Sequence, residues 1–297
     1  MEDKKMKLFD KASFFVALLF FLSACTHSEI ETNQNSGHNT ENLTGNQGVP
    51  LKLSAEESDP EMFQWMYGFP PPKEKRLSAA DGTFFRFPAL RWSVVHMREF
   101  MPTINVSRGL GNASELNYDL DPQIDLVEFQ PWDSDQMMTW KESLQKSYAD
   151  GILIMHRGKV VYEKYFGALT KTDVHAVMSV SKIFTGTLAS ILVAEGVLNE
   201  KTLIKEYIPE LSGSAFGDAT LRQLMDMTTS LQYSEDYSDP NAEIWAFSAA
   251  GNPLPKPAEY QGPVGYYEYL QTIRKEGEHG EVFGYKTVNT DALGWVI

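Results

Sequence analysis

A serine and a lysine three positions apart, Ser179 and Lys182 in "SVSK", stand at the start of an apolar helical pattern from Ile183 to Leu198. On a helix, residues i and i+3 share one face, so the hydroxyl and the amine would lie side by side. A buried amine loses hydration, and the resulting fall in its pKa lets it accept the hydroxyl proton. The pair therefore predicts a nucleophile, Ser179, with Lys182 as its general base. The alternative is two polar residues on the rim of an ordinary helix.

A second S-x-x-K, Ser143 to Lys146 in "WKESLQKSYADG", illustrates that alternative. A chain of this length is expected to contain about one such spacing by chance. This second copy lies in a charged helical pattern with nothing apolar to bury its lysine. The first copy differs because an apolar hairpin pattern precedes it and an apolar helix follows it.

The elements that must position Ser179 follow from local patterns. Residues 151–167, "GILIMHRGKVVYEKYFG", are two apolar stretches around a turn with Gly158 and predict a β-hairpin. A helix over 183–198, a turn and a second short helix come next. "GDATLRQLMDMTTSL" predicts a helix with Asp218 or Thr220 as its cap. Residues 232–265 predict a long loop with at most a short helix, and the chain ends in an apolar helical pattern.

The charge and the motifs of the sequence argue against several other functions. The chain is 42% hydrophobic, which suits a folded domain, and its net charge of −14 leaves no evident basic face for nucleic acid. No G-x-S-x-G, H-E-x-x-H, cysteine cluster or phosphate-binding glycine loop occurs, so no metal and no cofactor is expected. His96 and His175 are interpreted as packing residues.

The N-terminus predicts export and lipidation. Four lysines precede an apolar run from Ala12 to Ala24 that is too short to span a bilayer and resembles a signal peptide over residues 1–24. The sequence Leu-Ser-Ala before Cys25 resembles a bacterial lipobox, which implies a lipid (palmitate) anchor on Cys25. This places the protein in the bacterial cell envelope, at the outer membrane, in the periplasm or on the cell surface. The alternative is an ordinary secreted protein with an incidental cysteine.

The domain boundaries follow from composition. Residues 25–58 are rich in Asn, Thr, Glu, Ser and Gly without hydrophobic periodicity, and predict a disordered tether. Residues 59–297 predict the folded domain. It begins with an irregular segment, dense in aromatic residues and prolines, that wraps on the rest.

Several segments together resemble the serine beta-lactamase and penicillin-binding-protein superfamily. Within it, they are most similar to class C beta-lactamase-like esterases and 6-aminohexanoate-dimer (nylon-oligomer) hydrolases. They span residues 62–297 and are "GFPPP", "FRFPALRWSVVHMREFMPT", "SVSKIFTGTLAS", "YIPELSGSAFGDATLRQLMDMTTSL", "YSEDY" and "YKTVNTDALGW". The resemblance implies an α/β (α+β) fold, with an all-α domain packed on an antiparallel sheet with flanking helices, and with S-x-x-K opening the central helix.

The resemblance also implies site residues. Tyr285 matches the family's tyrosine element and would pass a proton to the leaving group. Thr287 stands where the family usually has Asn or Ser, and with Asn289 it is predicted to bind substrate. Tyr237, on the long loop, matches the tyrosine with which nylon-oligomer hydrolases cover the substrate amide.

The family's third element, K-T-G or H-T-G on a strand, is expected after Tyr285 and does not occur in this sequence. Lys286-Thr287-Val288 lacks the glycine and belongs to the tyrosine element. We therefore expect a truncated or frameshifted product, or an incomplete sequence, without the C-terminal strands. Two functions stay open. One is a serine hydrolase that cleaves a small amide or ester through an acyl-enzyme on Ser179. The other is a catalytically silent cell-surface fragment or a binding or sensing module.

Overall fold

The predicted hairpin over residues 151–167 is present and forms most of a three-stranded sheet. The computed structural model describes residues 53–132, 134–252 and 256–297. Its strands are β1 (Asn117–Tyr118), β2 (Glu128–Phe129), β3 (Met138–Thr139), β4 (Gly151–His156) and β5 (Lys159–Tyr165). The larger sheet has the order β1-β5-β4, and β2 pairs with β3 in a separate antiparallel ribbon.

The hairpin register runs from Gly151 opposite Tyr165 to His156 opposite Lys159. Arg157 and Gly158, between the strands, have φ values of 50° and 79°, the left-handed conformation that suits a tight two-residue hairpin turn. Strand β5 is antiparallel to β4, as predicted, and two residues of β1 pair with it in parallel.

Helices are short and dominate the second half of the chain. The α-helices are α1 (Pro60–Phe63), α2 (Leu90–Ser93), α3 (Trp140–Lys146), α4 (Lys182–Ala194), α5 (Ile204–Tyr207), α6 (Leu221–Met225), α7 (Glu243–Gly251), α8 (Tyr266–Thr272) and α9 (Thr287–Val296). The 3-10 helices are Lys73–Lys75, Thr83–Phe85, Met97–Glu99, Pro122–Leu126, Met178–Ser181 and Pro209–Gly213.

Helix α4 confirms the predicted helix after Ser179 but not its central burial. Of the described residues in α4, only Ala189 is buried, whereas Phe184 is 71% exposed and Ile183 and Leu188 are also more than half exposed. Ser179 itself lies in the 3-10 turn before α4 and not in its first α-helical turn. Several apolar side chains of α4 are therefore exposed on the surface that the described residues form.

Helix α6 begins as its cap pattern predicts. The Thr220 hydroxyl accepts from the Gln223 backbone N–H, and the Gln223 side chain accepts from the Thr220 N–H, which is a capping box. Asp218, the other candidate, instead binds Lys275 and His279. The main hydrophobic core lies around this helix and includes Leu221, Leu224, Phe216, Leu270 and Val288.

The segment 232–265, predicted to be mostly loop, contains the nine-residue helix α7. Its buried residues Ile244, Phe247 and Ala250 recur at helical spacing and join the main core. The helix is longer than predicted because these contacts with residues distant in sequence stabilise it.

The N-terminal part of the domain is irregular, as predicted, and it includes residues assigned to the tether. Ser58 is fully buried, and the Arg91 guanidinium donates to its hydroxyl at 2.9 Å and to the Ala55 carbonyl at 2.5 Å. Residues 53–58 therefore belong to the ordered domain, which begins before Asp59. Residues 25–52 of the predicted tether, Cys25 and the predicted signal peptide lie outside the described residues.

Within the described ranges, no helix is both long enough and apolar enough to cross a membrane.

Candidate active site

The side chains of Ser179 and Lys182 are hydrogen-bonded to each other. Lys182 Nζ lies 2.8 Å from Ser179 Oγ, a distance over which a proton can pass between the amine and the hydroxyl. The residue before the serine, Met178, has a φ of 44°, an uncommon conformation for a residue other than glycine. Ser179 is exposed, and Lys182 is half-buried where full burial was predicted. The Ser179 hydroxyl is therefore accessible from solvent in the part of the chain that the structure describes.

Tyr285 joins this pair from a different part of the chain. Lys182 Nζ lies 5.2 Å from the centroid of the Tyr285 ring, within the range of a cation–π contact. Tyr285 comes two residues before helix α9, which packs against α4. The structure thus brings together the three residues that the sequence predicted to be catalytic.

The two predicted substrate-binding residues after Tyr285 are engaged within the protein. The backbone N–H and the hydroxyl of Thr287 both donate to the carboxylate of Glu235, the hydroxyl at 2.9 Å. Asn289 is fully buried, and its amide oxygen accepts from the Thr229 hydroxyl at 2.5 Å. Asn289 therefore takes part in the packing of α9 among the described residues, and its contact to substrate stays a prediction.

The two tyrosines of the long loop occupy different environments. Tyr237 is 63% exposed and packs edge-to-face on Trp245, with 5.9 Å between the ring centroids. Partial burial raises the pKa of Tyr237, and the neighbouring Glu235 and Tyr285 raise it further. Tyr233 is buried between Phe247 and Tyr269 and belongs to the core.

Asp291 is a charged residue near the site that the sequence analysis missed. It lies on α9, and its Oδ2 is buried with no hydrogen-bond partner among the described residues. Burial raises the pKa of Asp291 to about 6, and Glu235 adds to this, while the positive charge of Lys182 opposes it. The sequence feature that could have indicated this residue is a single carboxylate inside the apolar helical pattern "TVNTDALGWV".

A cavity of about 690 Å³ opens between α4, α8 and α9. Lys182, Thr287 and Asp291 line it, so it adjoins the Ser179 and Lys182 pair. The other lining residues are Ser181, Thr185, Gly265, Tyr266, Tyr267, Leu270, Thr290, Gly294 and Trp295. The mixture of aromatic and polar side chains suits an organic molecule with both apolar and polar parts.

His175, four residues before Ser179, was interpreted as a packing residue but is held by two polar contacts. Its Nε2 lies 3.1 Å from Asp150 Oδ2, and its Nδ1 lies 2.7 Å from the Ala176 carbonyl oxygen. The other Asp150 oxygen faces the buried Arg91 guanidinium at 3.5 Å. This network fastens the segment before the candidate nucleophile to the start of β4.

No three His, Cys, Asp or Glu side chains of the described ranges lie close enough together to hold a metal ion.

Residues 143–297 match the sequence model of the family described as Beta-lactamase. The chain belongs to the beta-lactamase family. The match includes Ser179, Lys182 and Tyr285, and it confirms the superfamily predicted from the sequence motifs.

Two relatives share 31% sequence identity with this family member. One is the 6-aminohexanoate-dimer hydrolase of Paenarthrobacter ureafaciens, aligned over 71% of this chain and 50% of that protein. The other is a Bacillus anthracis protein of solved structure assigned as a 6-aminohexanoate-dimer hydrolase. It has a TM-score of 0.64 and covers 72% of this chain and 55% of that chain. A class C beta-lactamase in complex with cefoxitin is 21% identical over 52% of this chain and 41% of that chain, with a TM-score of 0.33.

The chain spans about half the length of the curated relative that it matches. Within that span, the Bacillus anthracis structure confirms the predicted beta-lactamase-like α/β class.

Proposed function

We propose that this protein is a serine hydrolase that cleaves an amide or ester bond through an acyl-enzyme on Ser179. The observation that carries the proposal is the 2.8 Å contact between Lys182 Nζ and Ser179 Oγ, with the Tyr285 ring 5.2 Å from the same nitrogen. Membership of the beta-lactamase family supports a hydrolase of the serine type.

The first half of the reaction forms the acyl-enzyme. Once it has lost its own proton, the Lys182 amine takes the proton from Ser179 as the serine oxygen attacks the substrate carbonyl carbon. The carbonyl oxygen gains negative charge near the N-terminus of α4, where the helix dipole is favourable to an anion. Collapse of the tetrahedral intermediate breaks the bond to the amine or alcohol. Tyr285 passes a proton to this leaving group and takes back the serine proton from Lys182, whose amine becomes neutral again.

Water completes the cycle. Attack of water on the ester carbonyl of the acyl-enzyme, with proton removal by the Lys182 and Tyr285 pair, releases the carboxylic acid and restores the Ser179 hydroxyl. The exposure of Ser179 gives water direct access to this ester.

Short linear amides or esters are the proposed substrates, in preference to beta-lactams. The support is that both relatives at 31% identity carry the name 6-aminohexanoate-dimer hydrolase. The cavity beside Lys182 is of the size that small organic ligands occupy. We further propose that a lipid on Cys25 anchors the enzyme in the bacterial cell envelope.

Hydrolysis by matched serine variants tests the proposal. The purified chain is assayed with a p-nitrophenyl ester, the linear 6-aminohexanoate dimer and a chromogenic cephalosporin. Ser179→Ala is expected to lower the rate by at least about a thousandfold, because the pair acts as a unit. Ser143→Ala, which alters the other S-x-x-K, serves as the control and keeps full activity.

Persistence of hydrolysis in the Ser179→Ala protein would move the nucleophile elsewhere. A folded wild-type chain that cleaves none of these substrates favours the catalytically silent binding or sensing protein.

A further inference from the structure

We propose that Glu235 is a positioning residue that clamps the Tyr237 loop to the turn that carries Tyr285. Its carboxylate does this by capping the N-terminus of helix α9 from 52 positions away in sequence. The effect on catalysis rests on the proposed function, whereas the clamp itself is a property of the fold.

Helix α9 depends on a cap from outside its own sequence. The first backbone N–H groups of a helix have no partner within the helix and need an acceptor. Among the described residues, the side chain at the N-cap position, Lys286, makes no capping hydrogen bond. Glu235 takes this role, because one carboxylate oxygen accepts from the Thr287 N–H and the other from the Thr287 hydroxyl. A negative charge at this end of the helix also favours the helix dipole.

A second contact ties the same two segments together. The Lys286 ammonium donates to the Leu231 carbonyl oxygen and lies 3.8 Å from a Glu276 oxygen. Ser234, next to Glu235, has its backbone N–H bonded at 2.9 Å to the Glu243 carboxylate on α7. Residues 231–235 are therefore held on both sides, and Glu235 has little freedom to leave Thr287.

The clamp acts on both candidate tyrosines. Tyr285 lies two residues before Thr287 in the chain, and Tyr237 lies two residues after Glu235. The negative charge of Glu235 also contributes to the raised pKa of Tyr237 and of Asp291. Releasing Glu235 is expected to free the Tyr285 ring from its place 5.2 Å from Lys182 Nζ.

The same contact gives Thr287 a role different from the predicted one. Its N–H and its hydroxyl proton are both donated to Glu235 and are not available to orient a substrate. Thr287 is then the second half of the clamp. Thr287→Val loses the hydroxyl contact but keeps the backbone N–H contact, so its effect is expected to be in the same direction as that of Glu235→Ala and smaller.

Hydrogen exchange on the full chain tests the clamp without any need for activity. In Glu235→Ala, the Thr287 amide and the amides of residues 232–238 are expected to exchange at least about tenfold faster. The control is Asp236→Ala. Asp236 is exposed, and the hydrogen bonds that it accepts, 2.9 and 2.6 Å long, come from Ser238 on the same loop. This variant is expected to leave the Thr287 amide unchanged. Amides within α4 report whether each variant is folded.

Should Glu235→Ala fail to fold, Glu235→Gln replaces it. The glutamine retains an oxygen for the Thr287 N–H but loses the charge, so intermediate exchange is expected. Unchanged protection of the Thr287 amide in either folded variant overturns the clamp.

Labelling of Ser179 by a fluorophosphonate tests the catalytic consequence. In Glu235→Ala, release of the clamp is expected to slow fluorophosphonate labelling of Ser179 at least about tenfold. Substrate hydrolysis by this variant is expected to slow by a similar factor in kcat, with KM changed less, because Tyr285 is displaced. Faster exchange with an unchanged labelling rate overturns the positioning role. An unreactive wild type contradicts the proposed function, and the exchange experiment then decides the clamp on its own.

Discussion

His175 and Asp150 are joined by a hydrogen bond of 3.1 Å that fastens the segment before Ser179 to the sheet. The other ring nitrogen of His175 faces the Ala176 carbonyl at 2.7 Å, so both nitrogens meet acceptor oxygens. Such an imidazole satisfies both contacts only when it is protonated at both nitrogens. The hydrogen bond to Asp150 is the main cause that raises the pKa of His175 above its usual value.

His175→Gln is expected to destabilise the protein in acid more than in base. Because the pKa in the folded state is raised, the stabilisation is fully present below the unfolded-state pKa of about 6.5. It is lost as the pH rises through the folded-state value. We expect a loss of about 1 kcal/mol at pH 5.5, typical of a partly exposed charged hydrogen bond, and a smaller loss at pH 9.

Urea unfolding at the two pH values measures this difference. The control is His156→Gln, since His156 is exposed at the end of β4. A loss of stability that is the same at pH 5.5 and pH 9 would show that His175 acts through packing alone.

Asp291→Asn is expected to stabilise the protein at neutral pH and to have little such effect in acid. Burial raises the pKa of Asp291 to about 6, so the folded state disfavours the ionised carboxylate. The stability of the wild type therefore falls relative to the variant as the pH rises from about 4 to above 6, by about 2–3 kcal/mol in total.

The measurement is the free energy of unfolding from urea titrations at pH 4, 5, 6 and 8. Asp239→Asn, at an exposed loop position, provides the control. If the difference in unfolding free energy between Asp291→Asn and the wild type does not grow from pH 4 to pH 8, Asp291 is not a buried carboxylate that ionises in the folded protein.

Cys25→Ser is expected to abolish membrane association if the lipobox is processed. The acyl chains on Cys25 would supply the anchor. Fractionation of expressing bacteria, with metabolic labelling by a palmitate analogue, measures the change. Ser28→Ala, three residues further on, is the control and stays with the membrane. A Cys25→Ser protein that still sediments with membranes contradicts the lipoprotein assignment.

Local patterns predicted the elements whose determinants are adjacent in sequence. The hairpin around Gly158 and the cap of α6 at Thr220 were predictable because a turn glycine and a capping threonine act within a few residues. Helix α9 followed from the apolar spacing of its own residues. The S-x-x-K pair was predictable for the same reason, since Ser179 and Lys182 are three positions apart.

Contacts between distant segments escaped prediction. Glu235 meets Thr287 across 52 positions, and Thr229 meets Asn289 across 60. Nothing in either local pattern indicates the partner, so neither the Glu235 contact nor the burial of Asn289 was predicted. The burial of Asp291 could not be predicted for a related reason, because it depends on how α9 packs beside Lys182.

The most direct measurement of the central claim is the site at which a fluorophosphonate reacts with the full chain. After digestion and mass spectrometry, we expect the phosphonyl adduct on the peptide that contains Ser179, with formation slowed at least about a hundredfold in Lys182→Ala. Ser143 is expected to stay unmodified. A folded wild-type chain with no adduct on Ser179, or equal labelling of Ser179→Ala, would contradict the assignment of Ser179 as the nucleophile.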